Sequence, residues 1–197
     1  TPLEVSIAPG ETIEAKGWFS LQKAFELSIV SEGISLHNID KAREQKIAEG
    51  KMALSISGKG TLADPQFEGE IGLTNLRING KSLEDFNIHL DLHDQLALIQ
   101  GKLNFDLNGS YHLQKKDFSV SIILDETDLS PYFKMASQPD LSGVLTGKVE
   151  AGGNMEAVDN LEFSADLSKL NIFFKEKELV HTRDFKASFK EKEFSIP

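Results

Sequence analysis

The chain repeats itself, and this duplication limits its fold more than any other feature of the sequence. A shift of 92 to 94 positions aligns apolar residues and turn glycines of the first half with those of the second. The aligned pairs include Gly17 with Gly109, Phe19 with Tyr111, Phe25 with Phe118, Leu27 with Val120, Ile29 with Ile122, Leu36 with Leu129, Gly50 with Gly143, Gly60 with Gly153 and Leu73 with Leu167. The intervening polar residues differ, so the duplicated feature is a backbone course with one apolar face. We expect one continuous segment, residues 1–197, built of repeats at about 17–100 and 109–196.

Apolar and polar residues alternate along most of the chain. This period-two pattern is typical of strands with one dry and one wet face, and thus of an antiparallel sheet. The segments are Phe25-Leu27-Ile29, Met52-Leu54-Ile56, Phe86-Ile88-Leu90-Leu92, Leu103-Phe105-Leu107, Phe118-Val120-Ile122-Leu124, Leu161-Phe163-Ala165-Leu167 and Phe185-Ala187-Phe189. The pattern predicts an all-β fold; alternation alone fits a closed sandwich or barrel as well as an open sheet.

Turn residues separate these segments, and helix signals are weak. Turns are predicted at Pro9-Gly10, at Asn79-Gly80, and in the charged links 175–178 and 190–193. Short helices are predicted over residues 40–49 and 129–135, with Ser130 as the cap that precedes Pro131.

The composition excludes several classes of function. Thirty-one acidic residues against 21 basic ones give a net charge of −10, which disfavours nucleic acid and anionic lipid headgroups as partners. No cysteine is present, so disulfides and thiolate chemistry are absent. No apolar run approaches the roughly 20 residues of a membrane span, and the chain begins at Thr1 without a signal peptide. We therefore expect an excised piece of a longer protein.

Three polar residues of one strand could form a metal site. His89, Asp91 and His93 share a face at i, i+2 and i+4, and two imidazoles with a carboxylate can ligate zinc. The other interpretation is ordinary solvated side chains on the polar face of an amphipathic strand, and we assign no metal site. No nucleophile elbow, catalytic triad order or phosphate-binding glycine loop occurs in the sequence, so we expect neither an enzyme nor a cofactor.

Two further features have a structural and a functional interpretation. Asp125, Glu126 and Asp128 form an acidic bend, expected to be a solvated turn, with a weak calcium site as the alternative. Trp18 is expected to anchor packing, with a ligand-stacking role as the alternative.

Two segments resemble the TamB and wider AsmA-like proteins. Residues 58–80, GKGTLADPQFEGEIGLTNLRING, are similar to their recurring unit of glycine, short strand, proline, strand and Asn-Gly turn. Residues 128–154, DLSPYFKMASQPDLSGVLTGKVEAGGN, resemble the link between such units. The resemblance covers nearly the whole chain.

The resemblance implies a fold, a location and a function. TamB-like proteins are anchored in the inner membrane of diderm bacteria and cross the periplasm, and their elongated, curled antiparallel sheet, the β-taco, forms an open hydrophobic groove. They work with an outer-membrane barrel partner, TamA, and are implicated in phospholipid transport and outer-membrane protein assembly. By resemblance we expect a periplasmic groove segment, with one or two short helices at crossovers, that conducts phospholipid between the two membranes.

Such a groove has a physical rationale. Exposing an acyl chain to water costs about 0.8 kcal/mol per methylene, so a tail of roughly 16 carbons costs about 12 kcal/mol. Strands that share one apolar face could cover the tail, and the 13 phenylalanines lie mostly on that alternating face. The expected lipid-binding residues are Phe25, Leu27, Ile29, Leu54, Ile56, Phe86, Ile88, Leu90, Leu92, Leu103, Phe105, Leu107, Phe118, Val120, Ile122, Phe163, Leu167, Phe185 and Phe189.

Two other functions remain open from the sequence. The chain could be a scaffold or chaperone whose sheet edges template strands of outer-membrane proteins or of a barrel partner by β-augmentation, and edge-to-edge self-association would follow from the same surface. It could also be a stalk with a closed, dry core that only sets a spacing.

Overall fold

The structure is a computed structural model that describes residues 3–38, 49–78, 81–82, 84–102, 104–136 and 138–196. Fifteen strands occur in these ranges, and every pairing between them is antiparallel where its register is resolved. The strands are β1 (Leu3–Ala8), β2 (Glu11–Phe19), β3 (Ala24–Ser35), β4 (Glu49–Thr61), β5 (Pro65–Ile78), β6 (Lys81–Ser82), β7 (Phe86–His93), β8 (Leu96–Lys102), β9 (Phe105–His112), β10 (Asp117–Asp128), β11 (Leu141–Asn154), β12 (Ala157–Phe174), β13 (Lys177–Thr182), β14 (Phe185–Lys190) and β15 (Glu193–Ser195).

The chain divides into two compact units, Thr1–Gly101 and Lys102–Pro197. In the first unit the strands lie in the order β1-β2-β3-β4-β5-β7-β8, and β6 pairs with β5. In the second the order is β9-β10-β11-β12-β14-β15, and β13 pairs with β12. Neither order closes on itself among the described strands. The prediction of an all-β fold is therefore confirmed. Each unit is an open, curled antiparallel sheet of the β-taco kind, and the second unit also contains a short helix at a crossover.

Both units use the same strand register. Gly17 lies opposite Leu27 in the first unit, as Gly109 lies opposite Val120 in the second. One row further along, Phe19 lies opposite Phe25, as Tyr111 lies opposite Phe118. The aligned residues of the sequence repeat thus occupy equivalent places in the two units.

A β-bulge recurs at the same place in each unit. The pairing of β3 with β4 shifts between Ser31 and Ile34, and that of β10 with β11 shifts between Leu124 and Thr127. Beside each bulge a buried hydroxyl donates a hydrogen bond to a backbone carbonyl. Ser31 Oγ donates to the Thr12 carbonyl at 2.8 Å, and Thr127 Oγ1 to the Asn104 carbonyl at 2.7 Å. A bulge bends and twists its strand. Because each hydroxyl satisfies a backbone carbonyl beside the bulge, these hydrogen bonds hold the bulge in place and fix where the sheet bends.

Helix α1 (Ser130–Met135) follows the second bulge. The prediction of a helix here is confirmed, but the predicted cap is wrong: Leu129 is the N-cap, and no side chain caps the helix. The amide and hydroxyl of Ser130 donate to Asp128 Oδ1 at 2.8 and 2.5 Å instead, so Ser130 lies inside the helix as its first residue. Tyr132 packs toward Phe105, with ring centroids 6.3 Å apart, and its hydroxyl donates to Asn104 Oδ1. Burial raises the pKa of Tyr132.

Several turn predictions can be compared with the structure. The Pro9-Gly10 turn is present, and the two charged links reverse the chain at Lys175-Glu176 and Glu191-Lys192. These last four residues adopt positive φ, as tight hairpin turns require. The Asn79-Gly80 turn and the first predicted helix, up to residue 48, lie outside the described residues. Among the described helices, none has the length and apolar character needed to cross a membrane.

Candidate apolar binding face

One face of the first unit is a continuous set of apolar side chains, called here the first apolar face. Directly opposed residues of antiparallel strands share a face, so each cross-strand row can be followed from the register. One row runs Leu27, Gly58, Phe67 and Leu92, and the next runs Ile29, Ile56, Gly69 and Leu90. All nine expected lining residues of this unit lie in these and the adjoining rows: Phe25, Leu27, Ile29, Leu54, Ile56, Phe86, Ile88, Leu90 and Leu92.

The second unit carries an equivalent surface, the second apolar face. Phe105, Leu124, Gly147, Leu167 and Phe185 form one row across five strands. The remaining expected residues of this unit lie in the next three rows: Leu107, Phe118, Val120, Ile122, Phe163 and Phe189. Leu103 lies outside the described residues.

Most of these side chains are only half-buried. Phe25 and Leu167 are 8% exposed, whereas Phe163 is 38% exposed and the other described lining residues lie between. The described strands of each unit form one sheet, and no second described sheet covers either face. The named rows contain no charged residue. Each face is therefore a partly solvated apolar surface and not a dry core.

The first apolar face deepens into a recess at the end of β2, β3 and β5. The recess has a volume of about 690 Å³, within the roughly 300–1,000 Å³ of small-molecule sites. Its lining consists of Gly17, Trp18, Phe19, Phe25, Glu26, Leu27, Leu62, Pro65 and Phe67. The rings of Phe25 and Phe67 stack with centroids 5.5 Å apart at an interplanar angle of 29°. Phe19 and Leu62 stand exposed at 62% and 63%, and they form its rim.

Sequence reasoning missed part of both faces. On β5 it missed Phe67, Ile71 and Leu73, although these residues do alternate. Gly69 occupies the second of the four alternating positions, between Phe67 and Ile71, and interrupts the apolar pattern. In the second unit it missed Val149, which lies between Ile122 and Ala165, because glycine and alanine flank it on the same face of β11. Glycine and alanine at alternating positions were the sequence signal that could have assigned these strands to the apolar faces.

Charged residues lie on the opposite face of each sheet, often in cross-strand pairs. In the second unit Lys186 pairs with Asp166 at 2.7 Å, and Lys190 with Glu162 at 3.1 Å. The neighbouring carboxylates raise the pKa of both lysines. These pairs are exposed, so they contribute little to the stability of the fold, and their main effect is to keep this face of the sheet polar.

The two polar clusters identified in the sequence lie on these polar faces or at a bulge in one of the strands. His93 Nδ1 lies 2.7 Å from Asp91 Oδ1, whereas His89 Nδ1 lies 3.9 Å from Glu70 on β5. Asp125, Glu126 and Asp128 lie in the bulged end of β10 and not in a turn, which corrects that expectation. Glu126 pairs with Lys169 at 2.9 Å, which lowers the pKa of its carboxyl. No group of three potential metal ligands occurs among the described residues.

Trp18 differs from its expected role as a packing anchor. Its ring is 53% exposed, and its register partner is Glu26 on the polar face of the first unit. The packing interpretation is therefore wrong, and the indole is available at the surface.

Comparison of the chain with protein-family models, with curated proteins and with solved structures found no match.

Proposed function

We propose that the chain is a periplasmic segment of a TamB or AsmA-like protein, whose apolar faces shield acyl chains while phospholipid passes between the inner and outer membranes. The single observation that supports the proposal most is the half-exposed apolar face of each unit. A soluble domain ordinarily buries such a face, because each exposed methylene costs about 0.8 kcal/mol. An acyl chain lying on it would remove apolar surface from water on both partners.

The shape of the surface favours sliding over tight capture. Phe, Leu, Ile and Val line it, and these side chains offer no hydrogen bond that would hold a headgroup. Successive rows present similar chemistry, so a tail would meet nearly equal affinity at each row. A passive track of this kind requires neither a catalytic residue nor a cofactor. We propose that the parent protein is anchored in the inner membrane and works with an outer-membrane barrel of the TamA type.

The test is to locate bound lipid on the protein. A photo-crosslinking amino acid at Leu27, on the first apolar face, should capture phospholipid in cells. The same amino acid at the adjacent Ser28, on the polar face, is the matched control and should not. Mass spectrometry of the purified protein should also detect co-purified phospholipid. Lipid-free protein together with equal crosslinking at both positions would contradict the proposal.

One observation favours the second function, β-augmentation. Strand β1 lies at the edge of the first sheet and pairs only with β2 among the described strands. Its alternating Leu3, Val5 and Ile7 are 64%, 44% and 39% exposed. Such an edge offers backbone hydrogen bonds and alternate apolar side chains to an added strand. Crosslinks to protein at Glu4, in place of lipid at Leu27, would favour this function.

A further inference from the structure

The polar face of the first unit contains a second recess, with Trp18 at one side. The recess has a volume of about 640 Å³. Its lining consists of Lys16, Trp18, Glu26, Ser28, Ser57, Lys59, Gln66, Glu68 and His93, together with Gly17, Leu27, Gly58 and Phe67 of the apolar rows. Trp18, Glu26, Lys59 and Gln66 are directly opposed from strand to strand and form one row across β2 to β5. This recess shares Gly17, Trp18, Glu26, Leu27 and Phe67 with the apolar recess. The polar row itself is not part of the proposed lipid track.

Trp18 is held in a defined position although its ring is half-exposed. Its Nε1 donates a hydrogen bond to Glu26 Oε2 at 3.0 Å. This bond fixes the ring against the neighbouring strand. An exposed indole gives up burial that a tryptophan ordinarily gains, and it leaves apolar ring surface available to a ligand.

The hydrogen-bonding groups around Trp18 are mixed in kind and in charge. Lys16 and Lys59 donate, Glu26 and Glu68 accept, and Gln66 does both. The lining contains two lysines and two carboxylates, and Lys16 is already paired with Glu14 at 2.6 Å, so the recess has no excess positive charge that would favour an anion. A ligand that fits must offer many neutral donors and acceptors together with one apolar face.

We propose that this polar recess binds a neutral oligosaccharide through a pyranose ring stacked on Trp18. The axial C–H groups of a pyranose form an apolar face that suits the negative face of the indole. Its hydroxyls both donate and accept, as the row of Glu26, Lys59 and Gln66 requires. The volume lies within the range of small-ligand sites.

The second unit provides an internal comparison. The positions equivalent to Trp18, Glu26, Lys59 and Gln66 are Ser110, Ser119, Gly152 and Glu162, again opposed from strand to strand. Glu162 is paired with Lys190 at 3.1 Å. The fold thus does not require an aromatic ring or a lysine in this row, and its chemistry is particular to the first unit.

The chain has one tryptophan, so its fluorescence reports the surroundings of Trp18 alone. Full-length protein is titrated with maltotriose, cellotriose and chitotriose, and separately with inorganic phosphate and phosphatidylglycerol vesicles. The expected result is a saturable change of the emission spectrum with at least one trisaccharide and none with phosphate. A response to phosphate or vesicles instead of sugar, or a flat titration with all five probes, would overturn the proposal.

Variants separate binding from structure. Lys59→Met keeps the fluorophore and removes one donor, and it should weaken the sugar affinity by about tenfold, the equivalent of about 1.4 kcal/mol. Lys148→Met, on the polar face of the second unit, is the matched control and should leave the affinity unchanged. Trp18→Ala should abolish binding measured by calorimetry while the thermal midpoint stays within a few degrees. Unchanged affinity in both Lys59→Met and Trp18→Ala would also overturn the proposal.

Discussion

Gly58 lies directly beneath the aromatic ring of Phe67 on the adjacent strand. The two residues are register partners, and a methyl carbon built at position 58 would stand 2.5 Å from Phe67 Cδ1 and in contact with Cε1. The missing side chain lets the ring lie flat over β4, where it stacks with Phe25. The apolar recess of the first unit therefore depends on a glycine.

Gly58→Ala should destabilise the protein by about 1–3 kcal/mol, the usual cost of forcing an extra methyl into a packed site. Urea unfolding of the purified variant measures the change. Gly33→Ala is the matched control, because its new methyl would meet only Lys51 Cδ, at 3.9 Å. It should be neutral or slightly stabilising. Equal stability of the two variants would show that the ring does not rest on Gly58.

Ile122→Asp should reduce bound phospholipid at least tenfold while the protein stays folded, because a carboxylate on the apolar face repels acyl chains. The neighbouring Ile123 points to the polar face and is 44% exposed. Ile123→Asp therefore places the same charge one residue away, on the wet side, and should leave lipid binding unchanged. Lipid per protein, measured by mass spectrometry, distinguishes the two. Phe105→Arg should behave like Ile122→Asp.

Thr127→Val should cost about 1–3 kcal/mol of unfolding free energy, since it removes the buried hydroxyl that satisfies the Asn104 carbonyl beside the bulge. Ser31→Ala should have a similar effect in the first unit. Thr12→Val alters an exposed side chain and keeps the carbonyl that Ser31 uses, so it should stay within about 0.5 kcal/mol of the parent. Denaturant unfolding measures all three. A neutral Thr127→Val would show that the hydroxyl does not hold the bulge.

Lys169→Met should raise the pKa of Glu126 toward its ordinary value, because the Lys169 ammonium now lowers it. A lowered carboxyl pKa contributes stability above the ordinary pKa of glutamate, and that contribution is lost as the pH falls through the folded-state value. The pair is exposed, so only a small change in overall stability is expected. Carboxyl NMR titration measures the shift. Lys190→Met should leave the titration of Glu126 unchanged, because Lys190 pairs with Glu162.

Val5→Lys should lower self-association of the protein at high concentration. Lysine on an edge strand disfavours pairing with another edge, and Val5 lies on the edge strand β1. Val30→Lys is the control, because Val30 is similarly exposed but lies on an interior strand. Light scattering against concentration reports the difference. Identical light-scattering curves for the two variants would show that any self-association does not use strand β1.

The alternation of Phe118, Val120 and Ile122 was enough to predict a strand and the face that these residues share. The same reasoning overlooked Phe67, because Gly69 breaks the apolar pattern that follows it. It also misjudged Ser130, whose hydroxyl bonds to Asp128 where a cap would bond to the helix backbone. A local pattern cannot show which partner a polar side chain will choose.

The sequence by itself determined that this chain is a duplicated, antiparallel all-β protein with one apolar and one polar face. Period-two spacing fixes which residues of a strand point the same way, whatever that strand pairs with. Only the tertiary structure decided the register, which places Gly58 beneath Phe67 and Trp18 beside Glu26. Register depends on turns and bulges that join strands distant in the chain, and a shift of one residue would exchange every face. Both proposed sites, the apolar track and the polar recess, therefore exist only because the strands pair as they do.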